Sequence, residues 1–126
     1  VTLKANASVV LTEISRDIIT SSKEENTFVF AVIYDKDGNM ISRTRYNNVL
    51  MYELNLSNAD IKIEKCEDGY IFESKSFVMN VCIDLNGDTD ISDNMFDLYP
   101  NQPYFVKTKD ITVDNPVIFA LNSFFN

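Results

Sequence analysis

The stretch FVMNVCIDL, at residues 77–85, contains the clearest alternation of apolar side chains in the chain. Every second residue from Phe77 to Leu85 is apolar, and this is the spacing of side chains along one face of a β-strand. The polar run Asn86-Gly87-Asp88 then ends the pattern. We therefore expect a strand that turns one face, including Met79 and Val81, toward the core.

Similar short segments lie on both sides of this stretch. The predicted strands cover residues 9–14, 28–34, 40–46, 61–64, 70–74, 77–85, 103–109 and 117–122. The segment 28–34 is apolar in both phases, which is typical of a strand at the centre of a sheet. The run Asp35-Lys36-Asp37-Gly38-Asn39 predicts a hairpin turn after it.

The spacing of these strands predicts the fold class. Seven or eight short strands at regular intervals, with no long helical pattern, indicate an all-β, two-sheet sandwich of antiparallel strands. A small barrel is the alternative. The 126 residues fit a single domain, so we expect residues 1–126 to form one.

The charge of the chain excludes some classes of partner. The formal net charge is −8, and phosphate backbones and anionic membranes repel such a surface. No apolar run approaches the roughly 20 residues that span a bilayer, so we expect no membrane insertion and no nucleic-acid partner. The chain starts at Val1 rather than Met, so we expect it to be processed or cut from a longer protein. Periplasmic, secreted and cytoplasmic locations all stay open.

The residue types argue against a catalytic centre. The chain has no histidine, which removes Ser-His-Asp arrangements and the commonest zinc ligand. Its three glycines leave little for a phosphate-binding loop. We therefore predict no catalytic residue, cofactor or metal. Cys66 and Cys82 lie out of phase with the inward residues around them, so we expect both on outer faces as free thiols.

One acidic loop resembles the start of a calcium site. Residues 84–90 place oxygen-bearing side chains at every second position. The EF-hand pattern nevertheless fails, because Gly87 is at the fourth position, Thr89 at the sixth and Met95 at the twelfth. A polar hairpin loop is the better interpretation, although calcium binding stays open. We expect the aromatic residues to pack in the core rather than to bind sugar, since the chain has no Trp.

A distinctive motif lies at residues 91–100. Its residues are Ser92, Asp93, Asn94, Phe96, Asp97, Leu98 and Pro100. This run resembles the S-D-N-x-F-D-L-x-P motif of the C-terminal immunoglobulin-like domain in β-mannosidases of glycoside hydrolase family 2. Phe28-Val29-Phe30 before Asp37-Gly38, Leu54-Asn55-Leu56 before Ile61, and Asn122-Ser123-Phe124 look like the family's other landmarks, in the same order.

The resemblance implies an immunoglobulin-like sandwich that is an accessory part of a larger enzyme. The family's two catalytic glutamates lie on a (β/α)₈ barrel of about 250 residues, for which this chain has no room. The parent enzyme would be a retaining β-mannosidase-like glycosidase, and its other domains would be the partners of this one. A carbohydrate-binding module and a free-standing cell-surface or adhesion domain are the alternatives.

Within the motif, the residues predict a corner that braces the fold. Asp93 and Asn94 have short polar side chains suited to bonding backbone groups one to three residues away. Phe96 and Leu98 should enter the core together, while Met95 and Asp97 face the other way. Pro100 should lie where no ladder hydrogen bond is needed.

Overall fold

A computed structural model describes residues 1–2, 4–20, 27–110 and 112–124. The described chain is all-β, with seven strands in antiparallel sheets, which confirms the predicted fold class. It divides into two compact units, Val1–Leu54 and Asn55–Asn126. No helix in the described residues is long and apolar enough to cross a membrane.

The first unit contains one hairpin. Strand β1, Phe28–Tyr34, pairs antiparallel with β2, Met40–Asn47, which confirms both predicted strands. Asp35 closes the turn between them, because its Oδ1 accepts hydrogen bonds from the backbone amides of Asp37 and Asn39 at 2.9 and 2.8 Å. The Asn39 side chain is the largest cause that holds the pKa of Asp35 below its ordinary value, because its Nδ2 donates to Asp35 Oδ2 at 2.9 Å, and the backbone bonds lower the pKa further.

Two expectations about this unit are wrong. Residues 9–14 form no strand, and the regular element near them is a short helix, α1, at Arg16–Thr20. The apolar residues of 9–14 fall at both odd and even positions, so no single face of a strand would be apolar. This lack of alternation explains why a strand does not form. β1 is not central either, since its sheet in the described chain has two strands. A 3₁₀ helix at Met51–Glu53 then leads to the second unit.

The second unit contains two small sheets. β3 (Lys62–Cys66), β4 (Gly69–Glu73) and β7 (Tyr104–Lys107) form a three-stranded sheet in the order β3-β4-β7. β5 (Val78–Val81) pairs with β6 (Phe96–Leu98) in the other.

These two sheets share one core, as the layers of a β-sandwich do. Tyr70, Phe72 and Val106 enter it from the three-stranded sheet. Val78, Val81, Phe96, Leu98 and Ala120 complete the buried cluster. The ring of Phe96 lies 5.1 Å from that of Phe72 and 5.0 Å from that of Tyr104, measured between centroids. Aromatic contacts therefore join the two sheets directly.

A β-bulge changes the phase of β5. Val78 pairs with Leu98 and Val81 with Phe96, so β5 has one more residue than β6 between the two pairs. The bulge includes Asn80, whose φ is 51°. Because of the extra residue, both Val78 and Val81 reach the core cluster, although strict alternation from Phe77 would have placed them on opposite faces.

One thiol is less exposed than expected, although it lies outside the core cluster. Cys82 is 2% exposed, so the prediction that it lies on an outer face is wrong in the sense that solvent does not reach it. Cys66 is half-buried at the end of β3, and both cysteines are free.

The end of the chain differs from the expected strand at 117–122. The backbone of Cys82 bonds to Phe119 and Ile118, each at 2.8 Å, and this is a single bridge rather than a strand. A 3₁₀ helix follows at Leu121–Phe124. The prediction of a strand at 117–122 is therefore wrong, because one antiparallel bridge takes its place.

Candidate functional site

The residues that the sequence singled out lie between the two sheets of the second unit. β6 carries Phe96 and Leu98 into the core, where they are 3% and 0% exposed, so their expected burial is confirmed. Met95 has a φ of 56° and is 47% exposed. The left-handed residue before β6 sets the phase at which the strand begins.

Asp97 points away from the core, as expected, and has a defined partner. Its Oδ1 accepts a hydrogen bond from the backbone amide of Asn80 at 3.0 Å. That amide belongs to the bulge of β5, where ladder bonding to the neighbouring strand is disrupted. Asp97 therefore satisfies the irregular part of the strand that pairs with its own.

Ser92 and Asp93 connect the segment to β7. Ser92 exchanges two bonds with Lys107, since its amide donates to the Lys107 carbonyl and its Oγ accepts from the Lys107 amide, both at 2.9 Å. The Tyr104 hydroxyl donates to Asp93 Oδ2. Asp93 Oδ1 accepts from the amide of the next residue, Asn94, at 2.8 Å, which is the local bond that its residue type predicts.

Asn94 departs from the expected local bonding. Its Oδ1 accepts from the amides of Ile83 at 3.0 Å and Asp84 at 3.4 Å, and its Nδ2 donates to the Asp84 carbonyl. The expectation of partners one to three residues away is wrong, because the amide reaches a segment ten or eleven residues earlier. It clamps the end of the β5 segment to the start of β6.

Pro100 lies in the turn that follows β6, outside every strand. This position agrees with the expectation that it replaces no ladder donor. We name the segment from Ser92 to Pro100 the corner brace, together with its partners Asn80, Ile83, Asp84, Tyr104 and Lys107. In this brace the side chains of Ser92, Asn94 and Asp97 bond to backbone groups of the same unit, and that of Asp93 bonds to the Tyr104 hydroxyl.

Asn122 is a second bracing residue, and the sequence, although it placed Asn122 in a family landmark, did not predict this role. It is 3% exposed, its Oδ1 accepts from the Met79 amide at 2.9 Å, and its Nδ2 donates to the carbonyls of Ser57 and Phe77 at 2.8 and 3.0 Å. The signal in the sequence was a single amide directly after the apolar run 117–121.

The acidic loop at residues 84–90 is a capped turn. Asp84 Oδ1 accepts from the amides of Asn86 and Gly87 at 3.0 and 2.9 Å, and Oδ2 accepts from the Thr89 amide at 2.8 Å. These bonds lower the pKa of Asp84, with the Thr89 bond as the largest cause. Both oxygens of the carboxylate thus accept hydrogen bonds from backbone amides. No group of three or more metal-binding side chains occurs in the described residues.

Cavities near the brace are small. One of about 170 Å³ lies beside the bridge between Ile91 and Thr108 and is lined by Ser92, Lys107, Lys109 and Asp90. The Ser92 side chain is already bonded to backbone there, so it does not point a free group into the space.

Three carboxyl groups have pKa shifts opposite to that of a glycosidase general acid. Every described Asp and Glu is half-buried or exposed. Asp35, Asp84 and Asp114, the last of them 2.8 Å from Lys65, each have a pKa held below its ordinary value. A general acid of a glycosidase requires the opposite shift.

Comparisons with protein-family models, with curated proteins and with solved structures found no match to this chain.

Proposed function

We propose that this chain is a non-catalytic accessory domain of a β-mannosidase-like glycoside hydrolase, with an immunoglobulin-like fold. In the parent enzyme it packs against the catalytic barrel and stabilises it. The proposal begins from the resemblance of residues 91–100 to the family motif.

The use of that motif is the observation that carries the proposal. Asp93, Asn94 and Asp97 direct their side chains at groups of the same unit, and Phe96 fills the core between the sheets. Polar side chains that form hydrogen bonds within their own unit favour a structural role for the motif over a role in binding or catalysis.

The direct test of the non-catalytic part is an assay of the purified chain. We expect no hydrolysis of aryl β-mannoside, β-glucoside or β-glucosaminide. Turnover that persists through purification and disappears with one carboxylate substitution, such as Asp93→Asn, would contradict the proposal.

The accessory part is tested in the enzyme from which the chain comes. We expect its coding sequence to include a (β/α)₈ barrel of about 250 residues in the same frame. Deleting this chain should lower the temperature at which glycosidase activity is lost. Phe96→Ala in the full enzyme should reproduce much of that loss, whereas Phe105→Ala, at a 44% exposed residue, should not. A barrel that is equally stable without the chain would refute the stabilising role.

The carbohydrate-binding alternative makes a different prediction. It requires aromatic rings arranged along one exposed face, and in the described part of the β3-β4-β7 sheet Phe105 is the exposed ring. Titration calorimetry with mannan or chitosan oligomers separates the two. A Kd tighter than about 0.1 mM would favour the binding module.

A further inference from the structure

The turn after β5 contains a bond that is chemically vulnerable. Asn86 is the one asparagine in the sequence that a glycine follows. Asn86 is exposed, Gly87 has a φ of 78°, and no atom beyond the two adjacent residues lies within 4 Å of the place where a Cβ on Gly87 would be. The peptide between them is therefore accessible and has room to rotate.

We propose that Asn86–Gly87 is a site of spontaneous deamidation, and that the Asp84 carboxylate slows the reaction by holding the Gly87 amide. In the first step the Gly87 backbone nitrogen loses its proton to hydroxide and attacks Cγ of Asn86. The new N–Cγ bond closes a succinimide ring, and the Cγ–Nδ2 bond breaks. Nδ2 leaves as ammonia after taking a proton from solvent.

Water completes the reaction. It adds to one of the two succinimide carbonyls and opens the ring to aspartate or to isoaspartate, so ammonia is released and water consumed. The reaction needs no oxidant, metal or cofactor. Asparagine is counted among the thermally labile residues because it undergoes this reaction.

The hydrogen bonds of Asp84 oppose the first step. The Gly87 amide donates to Asp84 Oδ1 at 2.9 Å, and the Asn86 amide donates to the same oxygen at 3.0 Å. An amide bonded to an anion gives up its proton less readily, because the product anion would face a negative charge. The attacking nitrogen must therefore leave Asp84 before it can reach Cγ.

The product would disturb the corner brace. Either product adds a negative charge beside Asp84 and Asp88, and isoaspartate also lengthens the backbone so that the Gly87 amide no longer meets Asp84. The backbone of Asp84 is bonded to Asn94, so damage in the turn reaches the brace through that residue.

The test follows conversion at each asparagine in the intact chain. The protein is incubated in mildly alkaline buffer and digested with trypsin, and the peptide of residues 76–107 is sequenced by mass spectrometry. Isoaspartate is labelled with an isoaspartyl methyltransferase. Asn58, which is exposed and precedes Ala59, is the internal reference.

A matched pair of variants tests the role of Asp84. Asp84→Ala and Asp88→Ala remove the same charge from the turn, but only the first removes the acceptor of the Gly87 amide. We expect Asp84→Ala to deamidate at Asn86 several-fold faster than Asp88→Ala, with Asn58 unchanged. A synthetic peptide of residues 82–90 should also react several-fold faster than the intact chain, a comparison that needs no variant to fold.

Three results would overturn the proposal. They are conversion at Asn58 as fast as at Asn86, equal rates in the two variants, and an intact chain that reacts as fast as the peptide or not at all while the peptide converts fully.

Discussion

Asn122 carries out with one side chain what a neighbouring strand would do with its backbone. It meets a donor on β5 and two carbonyls, and the residue itself is 3% exposed. A buried amide that makes three bonds is specific for its position, because neither a shorter nor a charged side chain satisfies the same set.

Replacing Asn122 should therefore cost much of the stability. Asn122→Ala leaves the amide of Met79 and the carbonyls of Ser57 and Phe77 without this partner, and we expect a loss of about 2–3 kcal/mol. Asn122→Asp should cost more at neutral pH, since it places a carboxylate near two carbonyls and raises its pKa.

The pH dependence of Asn122→Asp has a definite sign. A carboxyl whose pKa is raised in the folded state destabilises the fold when ionised, so the variant should regain stability as the pH falls through that pKa. Urea unfolding at several pH values measures this. If Asn122→Asp were as stable as Asn122→Ala at every pH, the new carboxylate would be in contact with water rather than buried.

Phe96 is the aromatic residue that joins the sheets. Phe96→Ala should cost about 3–5 kcal/mol, because the ring is buried between Phe72 and Tyr104 and leaves a cavity. Phe105→Ala, on the same domain but 44% exposed, should cost about 1 kcal/mol. Denaturant midpoints of the two variants compare them, and equal losses would contradict the assignment of Phe96 to the core.

The sequence predicted the role of a residue where that role depends on neighbours in the chain, and not where it depends on a partner far away in the sequence. The period-two spacing of Phe96 and Leu98 predicted their burial, since it needs no knowledge of the partner. The partners of Asn94 and Asn122 lie 10 to 65 residues away in the chain, and no local pattern encodes them. The amide side chain indicates a hydrogen bond without saying to which segment.

At the scale of strands, irregular backbone limited the prediction. The β1–β2 hairpin was predictable because Asp35 and Gly38 supply the cap and the positive φ that such a turn needs. The phase of β5 was not, because Asn80 inserts a bulge into a stretch whose sequence alternates cleanly. Alternation in the sequence thus predicted the strand but not its register.

Gly69 in β4 is fixed by the strand beside it. A Cβ at this position would lie 2.2 Å from the backbone oxygen of Val106 and 2.9 Å from the ring of Phe105. We expect Gly69→Ala to lose about 2–3 kcal/mol, since a backbone atom must move. Gly87→Ala meets nothing within 4 Å and should lose about 1 kcal/mol through its positive φ alone.

A double variant identifies the cause. Gly69→Ala combined with Phe105→Ala should not recover the loss, because the nearest atom belongs to the backbone and not to the ring. Recovery to the level of Phe105→Ala would instead assign the close approach to the aromatic side chain. Thermal unfolding of the four proteins completes the cycle.

The capped turn of Asp84 should make stability depend on pH in the acid range. Its three amide bonds lower the pKa below the ordinary 3.8, so the stabilisation is present above that value and is lost as the pH falls through the folded pKa. We expect Asp84→Asn to be less stable than the natural chain at neutral pH, with the difference disappearing in strong acid. Asp88→Asn is the control for charge, and a difference that persists in acid would contradict the role of the carboxylate.

The whole molecule has an uneven distribution of buried residues. One domain over residues 1–126 stays a prediction from the sequence; the structure has two compact units, Val1–Leu54 and Asn55–Asn126, and the core cluster lies entirely within the second. Composition and length do not show where along the chain the buried residues gather. The first unit pairs two strands in its described part, and an isolated two-stranded hairpin is marginally stable at best in water.

We therefore predict that residues 55–126 fold without residues 1–54. This fragment retains both sheets around the core, the corner brace and the bonds of Asn122 to Ser57, Phe77 and Met79. Because a domain this small has a low free energy of unfolding, it should unfold cooperatively at a lower denaturant concentration than larger domains do. Phe96→Ala should unfold it completely. Dispersed amide resonances in NMR and one sharp unfolding transition are the expected results. A fragment with collapsed amide dispersion, beside a full chain that unfolds in a single step, would instead establish the single domain that the sequence predicts, because the core of the second unit would then depend on residues outside it.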